Sequence, residues 1–155
     1  MTLKRYISLA LLCLAYLCGT ACSASKTPAL TPMESIVCQM GKNWCIVRDD
    51  QTRRNPFSLR DRKTLEPAFD AKFEKYLDTF EFGGKPFIAA ANWNPAFEYL
   101  WNAWIYDGHQ WQNLLPQPCT ELKLVEEGGR PVRLEGTGLD GQPVVFHFSN
   151  MICSD

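Results

Sequence analysis

The sequence predicts an α+β domain: an antiparallel β-meander with one main helix packed on it, braced by two disulfides. Three observations lead there. Gly-x-Pro-apolar recurs at Gly84-Lys85-Pro86-Phe87, Gly129-Arg130-Pro131-Val132 and Gly141-Gln142-Pro143-Val144, a hairpin grammar in which Gly turns the chain and Pro sits where no ladder bond is needed. Phe69, Phe73, Tyr76, Leu77 and Phe80 repeat at helical spacing within "EPAFDAKFEKYLDTF". Four cysteines of the exported chain can pair, as argued below.

The chain opens with Lys4-Arg5, then the apolar run Tyr6 to Cys18, then small residues. Basic, apolar, small is the order of a secretory signal peptide, here 1–21. The run is shorter than the roughly 20 residues of a membrane span. Gly19-Thr20-Ala21-Cys22 resembles the lipobox of bacterial lipoproteins, with Gly19 where that family usually has Leu. The resemblance implies that Cys22 becomes the lipid-carrying (palmitate-bearing) first residue of the mature chain. Ser23 lacks the acidic character that often marks inner-membrane retention in those lipoproteins, which points to the outer membrane. An ordinary cleaved signal, giving a periplasmic or secreted protein, is the other reading.

Of seven cysteines, Cys13 and Cys18 leave with the signal, and five remain. Acylation of Cys22 removes the odd one. Cys38, Cys45, Cys119 and Cys153 then allow three pairings in an oxidising compartment. "SIVCQMGKNWCIV" alternates around Gly41-Lys42, with Cys38 and Cys45 equidistant from that turn, so Cys38–Cys45 is favoured, leaving Cys119–Cys153. The chain-entropy model assigns roughly 2.5 kcal/mol to the short loop and roughly 4 to the long one.

Residues 22–33, rich in Ser, Ala, Thr and Pro, read as a flexible tether. Residues 34–155 are long enough for one domain with a core. Without Lys4 and Arg5 the 16 basic residues become 14 against 17 acidic, a net of −3, and no nucleic-acid partner is expected. Arg48–Lys63 reads as a polar loop around Asn55-Pro56. Its Arg48, Arg53, Arg54, Arg60, Arg62 and Lys63 suit anionic lipid or an acidic partner, or form an ordinary solvated loop. The helix is placed at about 66 to 79, stopped by Gly83-Gly84. Asp107-Gly108 predicts a hairpin with a two-residue loop, setting Tyr106 opposite His109, Trp104 opposite Trp111 and Leu100 opposite Leu115. Gly128-Gly129 and Asp140-Gly141 extend the meander.

No phosphate loop, nucleophile elbow, zincin helix or dinucleotide fingerprint occurs. The two histidines, His109 and His147, fall short of a zinc ligand set, and no metal or cofactor is expected. Glu98 and Asp107 flank the aromatic strand as a weak glycosidase-type pair. Four of the five Trp lie between 93 and 111. The candidate binding surface is therefore Trp93, Trp101, Trp104, Tyr106, His109 and Trp111. Tyr99, Trp101 and Ile105 point one way, and Leu100, Trp104 and Tyr106 the other, so one helix cannot cover both sets. The leading expectation is a non-enzymatic protein-binding module (an inhibitor, immunity or assembly factor) held to the membrane by its lipid. The alternative is a peptidoglycan- or saccharide-binding protein, or an envelope hydrolase, that uses the aromatic hairpin.

Overall fold

A computed structural model describes residues 29–77 and 79–151. The signal, Cys22, tether residues 22–28 and Cys153 lie outside the described residues, and so does the Cys119–Cys153 pairing.

The domain is nearly all β, in two antiparallel sheets. The small sheet is a meander of β1 (Glu34–Met40), β2 (Trp44–Asp49), β3 (Phe57–Asp61) and β4 (Pro67–Phe73), in that order. The chain then crosses to the large sheet through β5 (Lys75–Tyr76) and β6 (Phe80–Phe82), which both pair with β7 (Lys85–Asn94). β8 (Glu98–Tyr106), β9 (Trp111–Asn113), β10 (Cys119–Glu127), β11 (Arg130–Gly138) and β12 (Pro143–His147) complete it, before a 3-10 helix at Phe148–Met151. The large sheet runs β12-β11-β10-β8-β7-β5, with β6 beside β7 and β9 beside β8.

The helix expected over 66–79 is not there: those residues form β4, β5 and the approach to β6, and no α-helix occurs among the described residues. The spacing was ambiguous. Residues four apart share a face in a strand as well as in a helix, so Phe69 and Phe73 meet the core either way. In β4, Phe69, Ala71 and Phe73 turn inward while Asp70 and Lys72 are exposed, the period of two that marks a strand.

The hairpin disulfide is also overturned. Met40 pairs with Trp44, so the loop has three residues. Cys38 then faces Ile46, and Cys45 faces Gln39. Successive side chains alternate in direction, so the two thiols emerge on opposite faces of the ribbon. Among the described residues Cys38, Cys45 and Cys119 form no disulfide with one another, and the last two are fully buried. Burial pushes the Cys45 and Cys119 thiols up from their ordinary range. Peptide mapping after iodoacetamide treatment should find Cys38 alkylated in the folded protein. Cys45 and Cys119 should react only through unfolding, about a thousandfold or more slowly. A recovered Cys38–Cys45 cystine peptide would contradict the register.

Gly83-Gly84 and Gly128-Gly129 form two-residue loops, with φ of 57° and 76° in the first and 60° and 74° in the second. This left-handed pair is the turn that matches strand twist, and only Gly adopts it without strain. Pro143 opens the edge strand β12, where its missing N–H leaves no ladder bond unmade.

β7 divides two cores. Ile88 and Ala90 face Met40, Ile46, Leu59 and Phe73 of the small sheet. Phe87, Ala89 and Ala91 face the other way, into a cluster with Trp101, Ala103, Leu134, Val144 and Phe148. The run Phe87 to Ala91 is buried on both sides, hence its unbroken apolar sequence.

Candidate functional site

The aromatic residues singled out by sequence are divided between the two cores. Trp101 lies in the large-sheet core, with the Lys75 ammonium 5.4 Å from its ring and 3.4 Å from that of Tyr99. Trp104 packs between the sheets, stacked on Phe69 with centroids 4.6 Å apart. Trp93, half-buried near the end of β7, lies under the Arg54 guanidinium at 4.4 Å. His109 is exposed at the β8–β9 turn.

That turn differs from the expected one. Tyr106 pairs with Trp111 and Trp104 with Asn113, so the loop spans the four residues 107–110. The Asp107 carboxylate closes it, accepting from the backbone N–H of His109 at 2.7 Å and of Gln110 at 2.8 Å, and from the Gln112 amide at 2.5 Å. The two backbone donors hold the Asp107 carboxyl below its usual range. A short acceptor side chain of this kind stabilises a longer turn without the left-handed pair a two-residue loop needs. Leu115 is not opposite Leu100: β9 ends at Asn113, and Leu115 is buried in the large-sheet core. A two-residue slip preserves the face, so Trp104, Tyr106 and Trp111 still share one side.

Trp44 and Phe69, which sequence reasoning did not place with this set, complete it. Trp44 meets Tyr106 at 5.0 Å and Trp111 at 5.3 Å, both edge to face. The indole nitrogens of Trp44 and Trp111 are buried without a hydrogen-bond acceptor among the described residues. Edge-to-face contact can place an N–H on a π face, a weak partial substitute. Beside this cluster, the β1–β2, β6–β7 and β8–β9 loops surround a cleft of about 340 Å³, with Trp44, Tyr106, Asp107, Lys42, Glu81 and Lys85 among its walls.

Glu98 and Asp107 do not converge. They stand at opposite ends of the nine-residue strand β8, on the order of 30 Å apart at about 3.3 Å per residue. Glycosidase carboxylates lie within about 5–9.5 Å of each other, so these two are not such a pair. Glu98 opens β8 directly after a tight turn, at φ 63°. His147 is exposed at the end of β12, opposite Arg133. Among the described residues no three His, Cys, Asp or Glu cluster as metal ligands.

The basic segment is not one loop, because β3 runs inside it. Arg60 pairs with Glu34 at 2.5 Å and Arg48 with Asp50 at 2.8 Å. Glu34 titrates below its ordinary range, through the Thr31 N–H bond first and Arg60 second. Arg53, Arg62 and Lys63 are exposed. These side chains serve several partners and form no single basic face.

Fold and site together define an antiparallel two-sheet β domain with an aromatic seam between its layers. No family model, curated protein or solved structure matches the chain.

Proposed function

We propose that the chain is a non-enzymatic protein-binding module of the bacterial envelope, exported by its leader and anchored through a lipid on Cys22. The observation that carries this reading is the outer edge of the small sheet. Among the described residues β1 pairs only with β2, leaving one side of its backbone without a ladder partner. Met33, Ile36 and Val37, on or beside it, are 45%, 41% and 44% exposed. The register shifts between Ile36 and Cys38, and this bulge leaves two consecutive aliphatic side chains in water. An unpaired edge with aliphatic side chains favours strand addition, in which main-chain bonds supply affinity and side chains supply choice. The same edge follows directly on the tether, so a partner docked there would sit at the membrane-proximal end of the domain. Inhibitor, immunity and assembly roles would all fit such a surface. The hydrolase reading loses support from the separation of Glu98 and Asp107.

The test is capture from envelope extracts with the mature protein, compared with an Ile36→Lys/Val37→Lys variant of equal thermal midpoint. The variant should lose the partner the wild type enriches, by about tenfold or more, since charge on an edge strand blocks pairing. Equal capture by both would mean that β1 is not the interface.

A further inference from the structure

We propose that the groove between β4 and β7–β8 is a binding site for a neutral saccharide, separate from the β1 edge. Here the small sheet stands off from the large one and leaves an opening of about 520 Å³, within the usual range of small-molecule sites, about 300–1,000 Å³. Asn55, Asn92 and Asn102 line it together with Trp104, Asp70 and Lys72.

Strand alternation brings the amides together. Ala90 and Asn92 share one face of β7, and Asn102 and Trp104 the same face of β8, because Ala90 pairs with Asn102. Farther along this face, Ile88 and Ala90 are covered by the small sheet. Toward the groove the residues become polar just where that cover ends.

These amides have hydrogen-bonding capacity to spare. The side chain of Asn92, half-buried, makes no hydrogen bond among the described residues. Asn102 uses only Oδ1, accepting from Asn113 at 3.4 Å, and its NH₂ has no partner among the described residues. Asn55 spends Oδ1 on the Trp93 N–H at 2.7 Å and keeps its NH₂. Asp70 and Lys72 lie two apart on β4, exposed, with no ion pair among the described residues.

The donor set selects the ligand class. A carboxamide donates and accepts from one planar head, which suits hydroxyl groups that do both. One face of the Trp104 indole is stacked on Phe69, and the part of the ring that lines the groove gives a pyranose ring an apolar contact. One carboxylate and one ammonium cancel, so the groove does not favour an anion. A purely apolar ligand would leave the amides desolvated and unpaired.

Proton–nitrogen NMR of the full chain tests this, with chitobiose, cellobiose and maltose each titrated to about 20 mM, the weak end of such affinities. The side-chain NH₂ signals of Asn92 and Asn102 and the Trp104 indole signal should move with at least one of the three. Asn92→Ala and Asn102→Ala should each weaken that binding by about fivefold or more. If either alanine variant fails to fold, Asn92→Ser and Asn102→Ser provide the same comparison. The Ile36→Lys/Val37→Lys variant should bind the sugar as wild type does, which separates this site from the proposed protein interface. Silence toward all three sugars overturns the proposal. So do shifts confined to the cleft at Trp44 and Tyr106, or binding undiminished in both amide variants. A response only to added peptide, confined to the β4 backbone amides, overturns it in favour of strand addition at that edge.

Discussion

Replacing Phe148 with alanine will lower the unfolding free energy by about 3–5 kcal/mol, measured by urea denaturation with tryptophan fluorescence. Phe148 opens the 3-10 helix and is 1% exposed. Its ring meets Phe82 at 5.1 Å, Phe87 at 5.4 Å, and Phe80 and Phe146 at 5.7 Å. One side chain therefore joins β6, β7 and β12. Removing it forfeits both the buried area and the contacts of the surrounding rings, because a packed interior closes only partly around a void. Phe146→Ala, at a half-buried position, should cost clearly less. A loss below about 1 kcal/mol for Phe148→Ala would mean that the 3-10 helix does not seat on the large sheet.

The second large effect concerns Asn55. β5 runs antiparallel to β7 and begins at Lys75, opposite Ala91, with Tyr76 opposite Ala90. Beyond them the Trp93 N–H is met by the Asn55 side-chain oxygen at 2.7 Å, while the Asn55 N–H donates to Glu74 at 2.6 Å. A side chain thus continues a ladder that the backbone has left. Asn55 also holds φ 54°, a region that Asn tolerates better than Ala does. Asn55→Ala should cost about 1–3 kcal/mol for the orphaned N–H and about 1 kcal/mol more for the backbone. Asn55→Gly should incur only the first part. Equal losses in the two variants would show that the left-handed conformation carries no strain at this position.

Legibility varied along the chain for physical reasons. The antiparallel meander β10–β11–β12 could be read because its turns are made by glycines with one conformational use. The two-faced ribbon could be read too: Trp101 and Ile105 are buried on one side of β8 while Trp104 packs on the other. In the small sheet the β1–β2 hairpin could be read from its alternation around Gly41, but β3 and β4 were hidden. Only Ser58 and Leu59 of β3 are buried, and charged neighbours on both sides give that segment the look of a loop. In β4 a spacing of four satisfies either periodicity, and aromatic residues favour strands without excluding helices. For the cysteines and for the Asp107 hairpin, loop length decided the register. A single extra residue at Gly41 sent two thiols apart, whereas two extra residues at Asp107 left Trp104, Tyr106 and Trp111 on one face. Of the groove, sequence held the asparagines but not the fold-back of β4 that gives them a common opening.

Ala89-Ala90-Ala91, the stretch of β7 that touches both cores, has a consequence for the entropy of folding. Alanine has no rotamers to freeze, so fixing the most enclosed part of the molecule restricts the main chain alone. The torsional freedom surrendered by side chains falls instead on the aromatic layers to either side, whose rings have few rotatable bonds for the area they cover.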